Sequence, residues 1–411
     1  MPATAVLALT ALVAACGGGD DPAPGEGGGE SAAGETTGVA LTVLIASSGD
    51  AETAAVTGAA TAWAEETGNT VDVQPAQDIQ QQLAQGFAGG NAPDLFYVDA
   101  SRFADYASAG NLYPYADQLT DPEDFYENLR TTFTFEDQQY CAPKDFSTLA
   151  LQINNTAWEA AGLTEDDVPT TWDELSTVAK TLTTGDQVGL AMAPTRDRLG
   201  AFLVQAGGYW VNEDSTAATA ETPENVEALT FVQTLLNDGS AAYPVDLDAG
   251  WGGEAFGTGR AAMAMEGNWI RGAMTNDYPD VDYQVVEFPE GPAGKGTLLF
   301  TQCWGISADS PNQAAAVSLV DYLATPEQQL ANAEAFGVMP SRQSAQEDYV
   351  AAFPDDAPFI AGGEYGRGPV VAPAIDPVML ELDAQLEALR TADPTEILQS
   401  FDTNAGGIVG G

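Results

Sequence analysis

Between residues 39 and 109 the chain alternates short apolar runs with helix-length stretches, and this rhythm limits the folds open to it. Residues 39–45 are a fully apolar strand ending in the polar turn Ala46-Ser47-Ser48-Gly49-Asp50, before a helix expected to reach about Thr67. Residues 71–74 and 94–98 read as the next strands, 79–87 as the second helix, and the turn 99–102 leads into a third helix ending near Ala109. Strands this apolar are buried on both faces, so the pattern predicts a parallel sheet covered by helices. It places Ser47, Ser48, Asp50, Asp99, Ser101 and Arg102 at strand carboxyl ends, where open α/β sheets bind ligands. The Ser and Asp residues suit helix caps equally well, and for Asp50 both readings stand.

Residues 140–146 (YCAPKDF) are polar and broken by Pro143, as a crossing into a second lobe would be, and 149–153 resume as a strand. Thr171-Trp172-Asp173-Glu174 is a capping box, which gives Trp172 a packing role at the helix entry. Residues 188–192 form a strand, 193–198 a polar turn before a helix stopped by Gly207-Gly208, and Pro223 starts a helix reaching about Asn237. Residues 283–288 and 298–306 read as strands. Ser310 and Thr325 each precede a Pro with a Gln two residues on, a helix-start pattern, and Gly337 ends the second helix. Residues 364–368 form a loop, and helices near 376–390 and 394–401 finish the chain.

The stretch 251–269, WGGEAFGTGRAAMAMEGNW, carries a tryptophan at each end. Its 260–265 run suits a buried strand. Glu266-Gly267-Asn268 is expected to break that strand, with Asn268 as an N-cap and Trp269 in the first turn of a new helix. A Trp just past a strand's carboxyl end is a pocket wall, with core packing as the alternative.

The formal charge is −49, from 61 acidic against 12 basic residues among 411. Such a surface repels nucleic acid and anionic headgroups, and Lys144, Lys180 and Lys295 are too few for a polybasic patch. It suits high salt or an acidic secreted protein. The chain has no histidine, which removes the commonest general base and metal ligand, and its three cysteines make no zinc site of the usual type. No metal or cofactor is called for. Neither a GxSxG elbow nor a P-loop is present, though carboxylates alone can hydrolyse glycosides.

Residues 3–15 are apolar and small, too short to span a bilayer and fit for a signal-peptide core. Val13-Ala14-Ala15-Cys16 looks like a bacterial lipobox, with Cys16 as the lipidated N-terminus. No Lys or Arg precedes the apolar run, as an export signal requires, so the true start is expected upstream. Residues 17–38 are Gly-rich and acidic and read as a flexible tether.

Five phrases then line up in order: APDLFYVDASRFADYASAGNL (92–112), YCAPKDFSTLALQINNTAW (140–158), VPTTWDEL (168–175), AFGTGRAAMAMEGNW (255–269) and WGISADSPNQAAAVSLVDYLATPEQQ (304–329). Together they resemble the family 1 extracellular solute-binding proteins, the sugar receptors of ABC importers, over nearly all of 39–400. The resemblance implies an α/β, two-lobed periplasmic-binding-protein fold of type II. Its discontinuous lobes are joined by a hinge with the ligand cleft between them. Residues 1–16 would be the lipoprotein signal with its acceptor Cys, 17–38 the tether, 39–142 plus 306–350 the N-terminal lobe, and 146–302 plus 351–411 the C-terminal lobe.

Sugars offer apolar ring faces and hydroxyl edges, so their sites combine aromatic platforms with carboxylates, amides and guanidinium groups. By resemblance, Arg102 is a retained ligand contact, while Ser101 replaces a family acid and Asp99 stands near it. Asp145 matches an acid after the first hinge crossing, and Trp269 matches a stacking Trp. Trp251 is a second cleft aromatic, and Trp304 faces either the cleft or the core. Asp197 and Arg367 lie in loops that touch ligand in some relatives, with Tyr365 a lesser candidate. Cys141 and Cys303 fall in hinge segments that lie side by side in the family, which implies a disulfide; two buried thiols are the alternative. The implied protein is a monomeric receptor held at the outer face of the membrane by the Cys16 lipid. It would close on a sugar and deliver it to the permease. The same fold around a polyamine, iron or an anion is a second reading. A secreted glycosidase using Asp99 and Asp145 is a third.

Overall fold

The computed structural model describes residues 36–409 apart from 48 and 186. The leader, Cys16, most of the tether and Ser48 lie outside the described residues. Among those described, one sheet carries strands β1 (Ala40–Ile45), β2 (Thr70–Pro75), β3 (Leu95–Asp99), β4 (Ala142–Asn154), β5 (Val188–Ala191), β6 (Ala241–Ala242), β7 (Ala261–Gly267), β8 (Tyr283–Val286) and β9 (Thr297–Ile306). The order is β2-β1-β3-β9-β4-β7-β5-β6, with β8 added beside β4 and the short pair Gly366–Arg367 beside β9.

The first part follows the alternation in the sequence. β1 is parallel to β2 and to β3, and the Asp50–Thr67 and Ile79–Gly89 helices make the crossovers. Gly68 ends the first helix in the left-handed region at φ 74°, a conformation that costs glycine nothing. The first core gathers Leu41, Ile45, Trp63, Phe96, Phe103 and Leu319. A second forms around Leu151, Leu175, Phe202, Trp210, Leu235, Met263 and Leu382. Here the Thr171 capping box closes as the sequence predicts. Thr171 accepts from the Glu174 N–H, and the Glu174 carboxylate accepts from the Thr171 N–H. Trp172 is buried, stacked 4.5 Å from Phe231. Thr222 and Thr325 cap the Pro223–Asn237 and Pro326–Phe336 helices, each with Pro at the start. A third cluster, including Tyr126, Phe146, Phe256, Ile270, Tyr349 and Phe359, fills the space beside β4. The architecture is that of a two-lobed, type II periplasmic-binding-protein fold.

Two antiparallel strands tie the lobes together. β9 pairs with β3 through residues 302–306 and with β4 through 299–304, while β4 goes on to pair with β7 through 149–153. The β4 strand therefore begins at Ala142, before the 149–153 run from which its strand character is read. Opposite Gln302 stands Asp145 and opposite Cys303 stands Pro143, so Lys144 is the extra residue of a bulge. A bulge tolerates proline and re-aims side chains, which is how a Pro-broken segment stays in the sheet. Cys141 and Cys303 are joined as a disulfide beside this bulge, with Cα atoms 5.8 Å apart.

A second difference concerns Asn268. The strand β7 runs on to Gly267, because Glu266 and Gly267 pair with Ala150 and Leu149. The following helix, Ile270–Asn276, starts without a side-chain cap. The Asn268 amide instead donates to the Gly337 carbonyl at 2.8 Å, a partner 69 residues away. Likewise Ser310 donates to Asp94 at 2.6 Å, and its helix begins only at Gln313.

Candidate functional site

The strand pairing builds a polar row at the junction of the lobes. Gln302 on β9 stands opposite Asp99 on β3 and opposite Asp145 on β4, so the three side chains share one face of the sheet. Asp99 is exposed, and the other two are half-buried. Asp99 also caps the Ala100–Ser108 helix, accepting from the Ser101 N–H at 2.9 Å and the Ser101 hydroxyl at 2.6 Å. Capping and a place beside the cavity therefore coexist in the same two residues.

Behind Asp145 lies a buried charge network. The Lys144 ammonium pairs with Asp145 and, at 3.2 Å, with Glu52 of the Asp50–Thr67 helix. The Tyr97 hydroxyl donates to the same Glu52 oxygen at 3.0 Å, and Lys144 lies 4.5 Å from the Tyr97 ring centre. Burial works against the Lys144 charge, but the two carboxylates outweigh it and raise its pKa. Burial also raises the Asp145 carboxyl above the usual range, with Lys144 opposing.

A cavity of about 170 Å³ opens beside Asp99 and Ser101. Its other walls are Arg196, Asp197, Tyr209, Phe300, Arg367 and Asp376, so both main cores contribute to it. A larger open groove of about 1660 Å³ runs between residues 126–137 and 213–216. Of the candidate side chains among the described residues, only Arg367 and Tyr365 line that groove. The smaller cavity is the one at the carboxyl end of β3, where the topology favours a ligand.

Phe300 connects this cavity to the exposed tryptophan. Trp269 is 36% exposed, whereas most large apolar side chains of the chain are buried. Its ring meets Phe300 edge-on, with centres 5.1 Å apart and planes at 89°. Arg198 stands 5.0 Å from the Trp269 ring centre and donates to Glu266 at 2.7 Å. Ring, guanidinium and carboxylate thus stand together behind Phe300, the cavity wall that Trp269 touches.

The remaining candidates divide. Ser47 donates to the Gly49 carbonyl at 2.7 Å and accepts from Thr53 at 2.8 Å, and Asp50 is the exposed first residue of its helix. Arg102 pairs with Asp376 and with Asp105 at 3.6 Å, and donates to Gln80 at 3.1 Å. Asp197 lines the cavity beside Arg196. Arg367 donates to the Asn212 carbonyl at 2.7 Å and lies 5.0 Å from the Tyr209 ring centre. The Tyr365 hydroxyl is bound to Glu287 at 2.8 Å. Trp251 is half-buried, with its ring folded over Gly253. Of the two places open to Trp304, the structure gives it the core: it is 2% exposed and packs edge-on against Tyr97 at 4.9 Å.

Lys144, Arg198, Glu266, Phe300 and Gln302 belong to the same region but not to the candidates read from sequence. Of these, Arg198 carries a signal in the sequence. Basic residues are scarce in this chain, yet Arg196 and Arg198 fall two apart in a single turn. Among the described residues no group of His, Cys, Asp or Glu is arranged to hold a metal ion, and no helix is long and apolar enough to cross a membrane.

Comparison with known proteins agrees with this architecture. The family model described as bacterial extracellular solute-binding protein matches residues 46–330. The diacetylchitobiose binding protein DasA of Streptomyces coelicolor is 24% identical over 389 residues, 90% of this chain and 88% of that protein. The cyclic alpha-maltosyl-1,6-maltose binding protein from Arthrobacter globiformis superposes with a TM-score of 0.80 at 21% identity, covering 90% of this chain and 99% of that one. An ABC substrate-binding protein from Listeria monocytogenes in complex with cycloalternan gives 0.77 at 24% identity, covering 90% and 98%.

Proposed function

Because the chain belongs to the bacterial extracellular solute-binding proteins, we propose that it is the carbohydrate receptor of an ABC importer. It captures a mono- or oligosaccharide between its lobes and delivers it to the permease. The observation that carries this reading is the Trp269 ring, left exposed beside Arg198 and Glu266 and in edge-on contact with Phe300, a wall of the cavity. An exposed aromatic ring next to guanidinium and carboxylate groups suits a sugar's apolar ring face and hydroxyl edge. The three relatives described above are named for, or hold, a carbohydrate.

In this proposal the first lobe takes 39–142 with 306–350 and the second takes 146–302 with 351–411. They move about β4 and β9. Asp99 and Ser101 meet the cargo from the first side, Asp145 from the hinge, and Trp269, Arg198, Asp197 and Arg367 from the second. Trp251, Ser47 and Asp50 form the outer margin. Cargo binds the closed form better and shifts the population toward it. No bond is made or broken. Lipidated Cys16 holds the receptor at the outer face of the membrane, and the 17–38 tether lets it reach the permease.

A thermal-shift panel tests the reading, with maltose, a cyclic maltosyl-maltose, N,N′-diacetylchitobiose and spermidine as probes. A rise in Tm with one of the sugars is expected. A rise with spermidine and none with any sugar would overturn it in favour of a cationic cargo.

A further inference from the structure

Glu266 is 1% exposed, yet it is an acid in the middle of the sheet, opposite Ala150. A buried carboxylate persists where it is paired and hydrogen-bonded. One of its oxygens, Oε2, accepts from two donors: the Trp269 indole N–H at 3.1 Å and Arg198 Nη2 at 2.7 Å. Its backbone is pinned as well, since Gln152 accepts from the Glu266 N–H at 3.0 Å and donates to its carbonyl at 3.0 Å.

The neighbours leave room for this arrangement. A Cβ on Gly267 would lie 2.3 Å from the Trp269 ring, so a bare backbone lets that ring lie against the strand end. A Cβ on Gly252 would lie 2.5 Å from Glu266 Oε1. Besides the Glu266 bond, Arg198 lies over the Trp269 and Phe300 rings, 5.0 and 5.6 Å from their centres. Its Nη1 donates to the Asp197 carbonyl at 3.1 Å, and its buried Nε has no partner among the described residues. Removing the Glu266 charge would therefore take away the carboxylate that Arg198 Nη2 meets and loosen the guanidinium over the Trp269 ring.

We propose that Glu266 is a positioning residue that holds Trp269 and Arg198 as one preformed recognition unit, presenting an aromatic face and a guanidinium together to a hydroxylated ring. The ligand class rests on the carbohydrate reading above; the positioning role does not. A fixed pair loses less freedom on binding than two independent side chains, so the carboxylate acts on affinity without touching cargo.

The test has a ligand-free arm and a binding arm. In protein with ¹⁵N-labelled tryptophan, the Trp269 indole resonance is assigned by its loss in Trp269→Phe. In Glu266→Gln it is expected to shift and to exchange faster with solvent. An unchanged resonance would overturn the positioning role, whatever the protein binds. In the binding arm, titration with the sugar giving the largest thermal shift should show about a tenfold loss for Glu266→Gln. The same change in an Arg198→Met, Trp269→Phe background should cause no further loss. An equal loss in both backgrounds would show that Glu266 acts by another route and would overturn the proposal. If no sugar binds the wild type, the carbohydrate reading fails while the indole signal still decides the role of Glu266. Arg198→Met, on the half-buried helix start, guards against a Glu266 variant that does not fold: it should move the same indole resonance, and an unmoved signal counts against the unit.

Discussion

Arg102 and Asp376 form an ion pair that joins the two main cores. Arg102 lies on the Ala100–Ser108 helix, whose Phe103 belongs to the first core, and Asp376 opens the Asp376–Leu386 helix, whose Leu382 belongs to the second. One turn along, the Asp105 carboxylate accepts from the Ala374 N–H at 2.7 Å. Burial raises the Asp376 carboxyl above its usual range, with Arg102 opposing. The guanidinium read from sequence as a ligand contact is occupied here in holding the lobes together.

Neutralising this pair should weaken the tie between the two cores. Arg102→Gln and Asp376→Asn should each cost about 0.5–1 kcal/mol in urea unfolding, since both side chains are partly exposed and screened. The loss should shrink at high salt. The exchanged pair Arg102→Asp with Asp376→Arg should recover much of it. Failure of the exchange to recover any stability would show that the two positions act independently.

The two tryptophans at 269 and 304 should separate binding from stability. Trp269→Ala removes a surface ring and should weaken sugar binding by about tenfold or more while changing Tm little. Trp304→Ala opens a cavity in the first core and should cost about 3–5 kcal/mol of stability. Isothermal titration and urea unfolding of both variants check the split. Gly267→Ala should act like a mild Trp269 variant, because the new methyl displaces the ring.

The parts of this fold that are legible in the sequence are those whose causes are local. The first three strands, the Thr171 capping box and the Thr325-Pro326 helix start depend on neighbours within a few residues, and they form as their sequences predict. The misses have distant causes. Asn268 has the chemistry of a cap, but the Gly337 carbonyl takes its amide. Pro143 and Lys144 look like strand breakers until β9 supplies the partner that turns them into a bulge. Residue type alone does not tell the exposed Trp269 from the buried Trp304, because each follows an apolar strand segment. Glu266 reads as the end of a strand, and only the fold brings Arg198 to it.

Reduction of the disulfide should destabilise the protein without altering its sheet. The bridge closes a loop with a sequence separation of 162, and such cross-links typically contribute about 2–4 kcal/mol by restricting the unfolded chain. Urea unfolding with and without dithiothreitol should show this loss, and Cys141→Ser with Cys303→Ser should reproduce it. Equal midpoints in both conditions would mean that the bond does not form in solution.

Glu287 should give stability a measurable acid limb. Burial alone would push its carboxyl up, but hydrogen bonds from Lys295 at 2.6 Å and from Tyr365 at 2.8 Å outweigh that and hold it below the usual range. A depressed folded pKa means that the contribution is present above the ordinary Glu range and is lost as pH falls through the folded value. Tyr365→Phe and Glu287→Gln should both flatten the stability profile between about pH 3 and pH 6, by roughly 0.5 kcal/mol for this partly exposed group. Sugar affinity at neutral pH should not change in Tyr365→Phe, which separates this residue from the cavity set.

The bridge between Cys141 and Cys303 also sets what a protease can do to this receptor outside the cell. Most of the second core lies between those two positions, so that part of the chain is a covalent ring sewn shut at the bulge. A single cut anywhere inside the ring opens it but frees neither fragment. Both halves stay attached through one sulfur–sulfur bond. The receptor can therefore be nicked and still leave as one piece, until a reductant reaches a cysteine pair that the fold keeps almost wholly out of water.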